Sequence, residues 1–143
     1  MSRKAVAIIV NWEEKILVAK KNNDTGGFLA GKWHIPGETL KEGESDIDAL
    51  IRGLKEEAGI KKADIRLIRY LGCGKSPRGT KVNWYICVPR LLAKIKIRAG
   101  SDVSEVKWMP RKEIKTILEI CTPEGVACWP KEVHKYFSTA PKE

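Results

Sequence analysis

Glu56 and Glu57 stand side by side in the stretch from Trp33 to Ile60, WHIPGETLKEGESDIDALIRGLKEEAGI. Two adjacent carboxylates repel each other, and the pair is comfortable only in solvent or beside a cation that neutralises it. Carboxylate oxygens with no sulfur or imidazole beside them suit hard divalent ions such as Mg²⁺, which keep several waters and also bind substrate phosphates. The plain alternative is the solvated outer face of an ordinary helix. On the pair alone both readings stand, and the wider spacing has to decide.

The elements around the pair follow from local chemistry. Ile35-Pro36-Gly37 closes an extended segment, because Pro removes a donor and Gly lets the chain turn. Ser45 or Asp46 can cap a following helix with a side-chain oxygen. Apolar residues at Ile47, Leu50, Ile51, Leu54 and Ala58 have the spacing of one buried helical face, and Gly59 ends it. Positions 53, 56 and 57 then form a surface stripe beside that core stripe, with Arg52 one turn from Glu56 and able to pair with it.

This stretch resembles the Nudix box, G-x5-E-x7-R-E-U-x-E-E-x-G-U with U apolar. Glu44, Arg52, Leu54, Glu56, Glu57, Gly59 and Ile60 match in register, and Trp33-x-x-Pro36-Gly37 matches the lead-in usual for the family. Two positions depart: the opening Gly is Glu38, and the Glu after Arg52 is Gly53. The resemblance implies Mg²⁺ (or Mn²⁺) held by Glu56, Glu57 and the backbone carbonyl of Gly37, with Glu44 as an outer or second contact. It makes Arg52, Glu56 and Glu57 the catalytic set. Glycine inside a helix costs roughly 1 kcal/mol relative to Ala, so Gly53 needs a reason. Either a base has been lost there, or glycine makes room for a ligand or for a carboxylate from elsewhere, with Glu38 and Glu105 as candidates.

Charge is unevenly spread. Residues 38–60 hold three Lys or Arg against seven Asp or Glu, a balance of −4, so the remainder of a chain of net charge +9 carries +13. An acidic island in a basic body suits a metal-bound polyphosphate, while a basic body alone suits RNA. Trp33, Trp84 and Tyr85 are candidates to stack on a base, with packing in the core as the plain alternative, and Arg78 and Lys81 are candidates to meet phosphate. His34 and His134 have no partner visible in the sequence and are given no role.

With 143 residues, 43% hydrophobic and 31% charged, the chain reads as one globular domain over 1–143. No apolar run nears the ~20 residues needed to span a bilayer, and Ala5 to Trp12 reads as a strand rather than a signal peptide. Cys73, Cys87, Cys121 and Cys128 show neither C-x-x-C nor paired His spacing, which argues against zinc and for a reducing cytoplasm.

Further along, Ala5–Trp12 and Ile16–Ala19 read as a hairpin about Glu13-Glu14-Lys15, and residues 22–27 as a flexible polar loop. Strands are expected over 65–71, 82–88, 94–98 and 103–109, with a basic connection over 72–81. Gly74-Lys75-Ser76 fails as a phosphate-binding loop, since Arg69 stands where its first Gly belongs. Pro110 and Pro130 are placed at the starts of two helices, with a break at Pro123-Glu124-Gly125. The pattern predicts an α/β (α+β) fold with a mixed β-sheet covered on both faces, and the resemblance implies the Nudix α/β/α sandwich. Besides a structural partner-binding domain that uses neither metal nor phosphate, two readings of function stay open. One is a cytoplasmic, Mg²⁺-dependent hydrolase of a nucleoside diphosphate-linked compound, weakened by Gly53. The other is a catalytically silent Nudix fold that binds nucleotide or RNA.

Overall fold

The computed structural model describes residues 3–22, 31–90, 96–100 and 103–138, without the side chain of Ile68. Its first strand, β1 (Lys4–Trp12), sets the layering. Successive strand side chains point to opposite faces. Val6, Ile8 and Val10 enter one core cluster and Ala7 and Ile9 the other, all of them buried. A strand that is apolar on both faces has to be covered on both.

The remaining elements are β2 (Lys15–Lys21), β3 (Trp33–His34), β4 (Gly37–Thr39), α1 (Asp46–Ala58), β5 (Ile65–Lys75), β6 (Lys81–Pro89), β7 (Val103–Pro110), α2 (Arg111–Cys121), α3 (Pro123–Ala127) and α4 (Lys131–Ser138). The mixed seven-stranded sheet runs β3-β2-β1-β6-β5, with β7 on β2 and β4 on β1. β1 is parallel to β6 and antiparallel to its other partners. Along its other edge it pairs with β4 at Ala5–Ala7 and with β2 at Asn11–Trp12. Leu50, Leu54 and Ala58 of α1 pack on one face; Ile114, Leu118, Val126, Val133 and Phe137 of α2–α4 pack on the other. This is the expected α/β/α arrangement. No helix among the described residues is long and apolar enough to cross a membrane.

Several expectations need correction. The buried residues of α1 are Ala49, Leu50, Gly53, Leu54 and Ala58, whereas Ile47 is 37% exposed. The helix is turned from the face its large apolar residues suggest, because the small residues Ala49 and Gly53 let it settle closely on the sheet. Gly53 is thus part of the packed side and not of an outer stripe. The strand expected over 94–98 begins outside the described residues, and Lys96–Arg98 is not extended into any ladder. Its backbone donors go instead to the end of α1: Arg98 N–H to the Ala58 carbonyl at 3.0 Å and Gly100 N–H to that of Glu57 at 3.1 Å. Gly100 lies so close that a Cβ there would stand 1.6 Å from the Glu56 carbonyl oxygen.

β5 extends to Lys75, which shortens the connection to residues 76–80, closed by Ser76 N–H to the Thr80 carbonyl at 2.8 Å. Pro110 ends β7 rather than opening α2, and Pro123 starts the short α3 where a break was expected. The loop expected over 22–27 lies, from residue 23, outside the described residues.

Candidate active site

Both ends of α1 are tied down. Ser45 Oγ accepts the Asp48 N–H at 3.1 Å, a standard N-cap. The Asp46 carboxylate accepts from Asn83 Nδ2 at 2.9 Å and from the Tyr85 hydroxyl at 2.7 Å, fixing the first turn to β6. At the other end the carbonyls of Leu54, Lys55, Glu57 and Ala58 all find backbone donors from residues 59–60 and 98–100. Glu56 and Glu57 therefore sit in a last turn whose carbonyls, normally left open, are largely satisfied.

Arg52 organises the charges beneath them. Its guanidinium makes a two-pronged contact with Glu44, Nε to Oε2 at 2.8 Å and an NH2 donor to Oε1 at 2.9 Å, and a third to the Thr39 carbonyl at 2.9 Å. That fork ties α1 to β4. The remaining terminal nitrogen faces two carboxylates, Glu38 Oε1 and Glu56 Oε2, each at 3.5 Å. Arg52, helped by the Lys41 N–H, holds the Glu44 carboxyl down at about 2. Burial pushes the Glu38 carboxyl above its ordinary value, against the pull of Arg52 and with the push of Glu56.

Above this network lies a cleft of about 370 Å³ bordered by Gly37, Glu38, Glu56 and Glu57 together with Lys21 and Arg78. Glu56 is 54% exposed there, and one oxygen of Glu57 is inaccessible to solvent. Among the described residues no three Asp, Glu, His or Cys side chains converge tightly enough to hold a metal as they lie; Glu38 and Glu56 turn toward Arg52. A second, more apolar cavity of about 160 Å³ shares Ala7, His34, Ile35, Ser76 and Val82 with the cleft, and adds Trp84 and Trp129. His34 borders both. Its Nδ1 lies 3.0 Å from the Ile35 carbonyl, which can only accept, so Nδ1 carries the proton and Nε2 does not. Nε2 is buried with no partner among the described residues, and burial lowers the imidazole pKa, which favours the neutral ring. Nothing in the spacing around His34 signals this position.

Of the residues picked out from the sequence, Gly37, Glu56, Glu57 and Arg78 come together at the cleft. Arg52 stands behind Glu56, its principal partner being Glu44. Both oxygens of Glu44 are engaged by Arg52, and it borders a separate hollow with Lys81, Asp46 and Asn83. Glu44 is thus a brace for Arg52, not a group facing the cleft, and Lys81 lies away from the cleft with it. Trp33 packs against the core under Lys107, whose Nζ is 4.4 Å from the ring centroid, and does not border the cleft. Glu105 is exposed on β7 opposite Lys20, whereas Glu38 opens into the cleft.

Comparison with known proteins agrees with this geometry. The family model described as NUDIX domain matches residues 1–126. Nudix hydrolase 2 of Arabidopsis thaliana is 28% identical over 109 residues, covering 75% of this chain and 38% of that protein. The chain thus spans well under half the length of that relative. A NUDIX hydrolase from Nitrosomonas europaea superimposes with TM-score 0.73 at 17% identity, covering 95% of this chain and 70% of that one. An Ap4A hydrolase of C. elegans, solved as a binary complex, does so with TM-score 0.69 at 16% identity, covering 86% and 92%. At such identities the structural likeness is one of fold.

Proposed function

Because the chain belongs to the NUDIX family, we propose that it is a cytoplasmic hydrolase of a phosphoanhydride bond in a nucleoside diphosphate-linked compound. The observation that carries this reading is the cleft, where Glu56, Glu57 and the Gly37 backbone border the same space as Arg78 and Lys21. The donors are all oxygen, the set that a hard divalent cation prefers. Glu56 and Glu57 would hold Mg²⁺ or Mn²⁺, with the carbonyl of Gly37 beside them. When bound, such an ion draws charge from phosphate oxygens and lowers the pKa of a bound water.

The chain's own side chains supply the rest. Arg78 and Lys21 attract and orient the phosphate oxygens and stabilise charge that develops on them. Arg52 restrains the Glu56 carboxylate from behind. The neighbouring cavity, with Trp84 and Trp129 in its wall, offers an apolar surface to the nucleoside. The Ap4A hydrolase among the similar structures fits a substrate of this class.

The test is a panel of nucleoside triphosphates, nucleoside diphosphate sugars and dinucleoside polyphosphates incubated with the protein and Mg²⁺. Release of phosphate, pyrophosphate or nucleotide that stops on chelation is expected. No turnover of any member sinks the proposal. RNA binding that weakens steeply with salt and ignores Glu56 and Glu57 would instead favour a nucleic-acid-binding protein.

A further inference from the structure

The two departures from the family pattern are neighbours in space. A Cβ built on Gly53 would lie 3.1 Å from Cβ of Glu38 and 3.6 Å from its Oε2. The pattern has Gly at position 38 and Glu at position 53; this chain has Glu38 and Gly53. One residue on β4 has gained a carboxylate and its partner on α1 has given up both carboxylate and side chain. The volume next to Gly53 is not empty: the stem of Glu38 fills it, and Glu38 borders the same cleft as Glu56 and Glu57. This also accounts for a glycine in a helix interior, since any larger residue would press on that stem.

The charge balance points the same way. Of the donors on Arg52, Nε and NH2 are committed to Glu44 and Thr39, and one nitrogen is left for Glu38 and Glu56 together, at 3.5 Å each. Arg52 is thus divided among Glu38, Glu44 and Glu56, and its closest contacts go to Glu44.

We propose that Glu38 delivers from the strand the carboxylate that the family pattern places at helix position 53, and that it acts with Glu56 and Glu57 in holding a divalent cation. This rests on reading the cleft as a cation site. The exchange keeps the number of carboxylates while moving the attachment of one from α1 to β4. It also distinguishes Glu38 from Glu105, which is exposed opposite Lys20 and does not border the cleft.

The test is Mn²⁺ binding to the full chain without nucleotide, followed by calorimetry and by the electron paramagnetic resonance of free Mn²⁺. Four proteins are compared: wild type, Glu38→Gln, Glu38→Gly and the double exchange Glu38→Gly with Gly53→Glu. Glu38→Gln, which keeps the volume, should weaken Mn²⁺ by at least the roughly tenfold that loss of even an outer partner costs. Glu38→Gly should do the same, and the double exchange should recover most of the affinity. Turnover on one accepted nucleotide should follow the same order. Unchanged Mn²⁺ affinity in Glu38→Gln overturns the proposal even if the double exchange does not fold. A folded double exchange that binds no better than Glu38→Gly overturns it as well. Wild-type protein that takes up no Mn²⁺ overturns the cation site itself, so failure of the wider reading is told apart from failure of the role given to Glu38.

Discussion

On one face of the sheet lies α1, with its two ends tied by directional hydrogen bonds and Arg52 shared among four acceptor groups. On the other lie α2–α4, held largely by apolar area and by ring contacts of Trp129 with Trp84 and Phe137. The first arrangement fixes the direction of α1 and adds little to the cohesion that Leu50, Leu54 and Ala58 supply beneath it, because partly exposed ion pairs are worth little. The second supplies cohesion without caring much about direction. The charged edge of α1 should therefore govern the reaction and the packed rings the stability, and substitutions can break that separation.

The largest effect is expected for Glu57→Gln on the α1 face. Turnover should fall about a hundredfold or more, as for loss of a metal-site partner. The melting temperature should stay within ~2 °C, since no packed volume changes. Full turnover, or a collapse of the fold, would show that the two faces do not divide the work in this way.

Phe137→Ala on the opposite face should do the reverse. Phe137 is 4% exposed and sits among Trp129 and Tyr136. Truncating such a ring costs about 3–5 kcal/mol, measured as a lower urea midpoint. The kcat per folded molecule should change less than about twofold, because Phe137 does not border the cleft of Glu56 and Glu57. KM should rise, because Trp129, which packs on Phe137, walls the nucleoside cavity. A large loss of kcat in fully folded protein would make the α4 face part of the reacting centre and not only of the nucleoside wall.

The same contrast explains what could be read from the sequence. Helical periodicity and the Ser45 and Gly59 signals located α1 and brought Glu56 and Glu57 together, because those relations are local. The apolar run of β1 announced a strand for the same reason, though not its central place in the sheet. The facing direction of Gly53 was not legible. It depends on Glu38, fifteen positions away along the chain and on another element. The length of β5 was hidden by Gly72, Gly74 and Lys75, which read as a loop yet pair in register with β6. The stretch 94–98 alternates like a strand, but Arg98 and, just beyond it, Gly100 give their N–H groups to the end of α1. Such long-range contacts override local preference, and periodicity carries no trace of them.

The smallest effect should appear in the acid limb of stability. The Glu44 carboxyl is held at about 2 in the folded protein against an ordinary 4.5, chiefly by its hydrogen bond from Arg52. Between those values the unfolded chain binds the proton and the folded chain does not, so stability rises with pH there. The contribution is fully present above 4.5 and disappears as pH falls through about 2. Glu38 is displaced in the opposite sense, chiefly by burial; its contribution is lost as pH rises above the ordinary value, so it does not mask the acid window. Arg52→Gln removes the principal donor to Glu44, and its carboxyl should return toward its ordinary range. In chelator-containing buffer, the melting temperature of wild type should therefore fall more steeply from pH 4.5 to pH 2 than that of Arg52→Gln. Circular dichroism melts across that range measure the two slopes. Parallel curves would mean that the Arg52–Glu44 fork orders the α1 face without contributing to its stability.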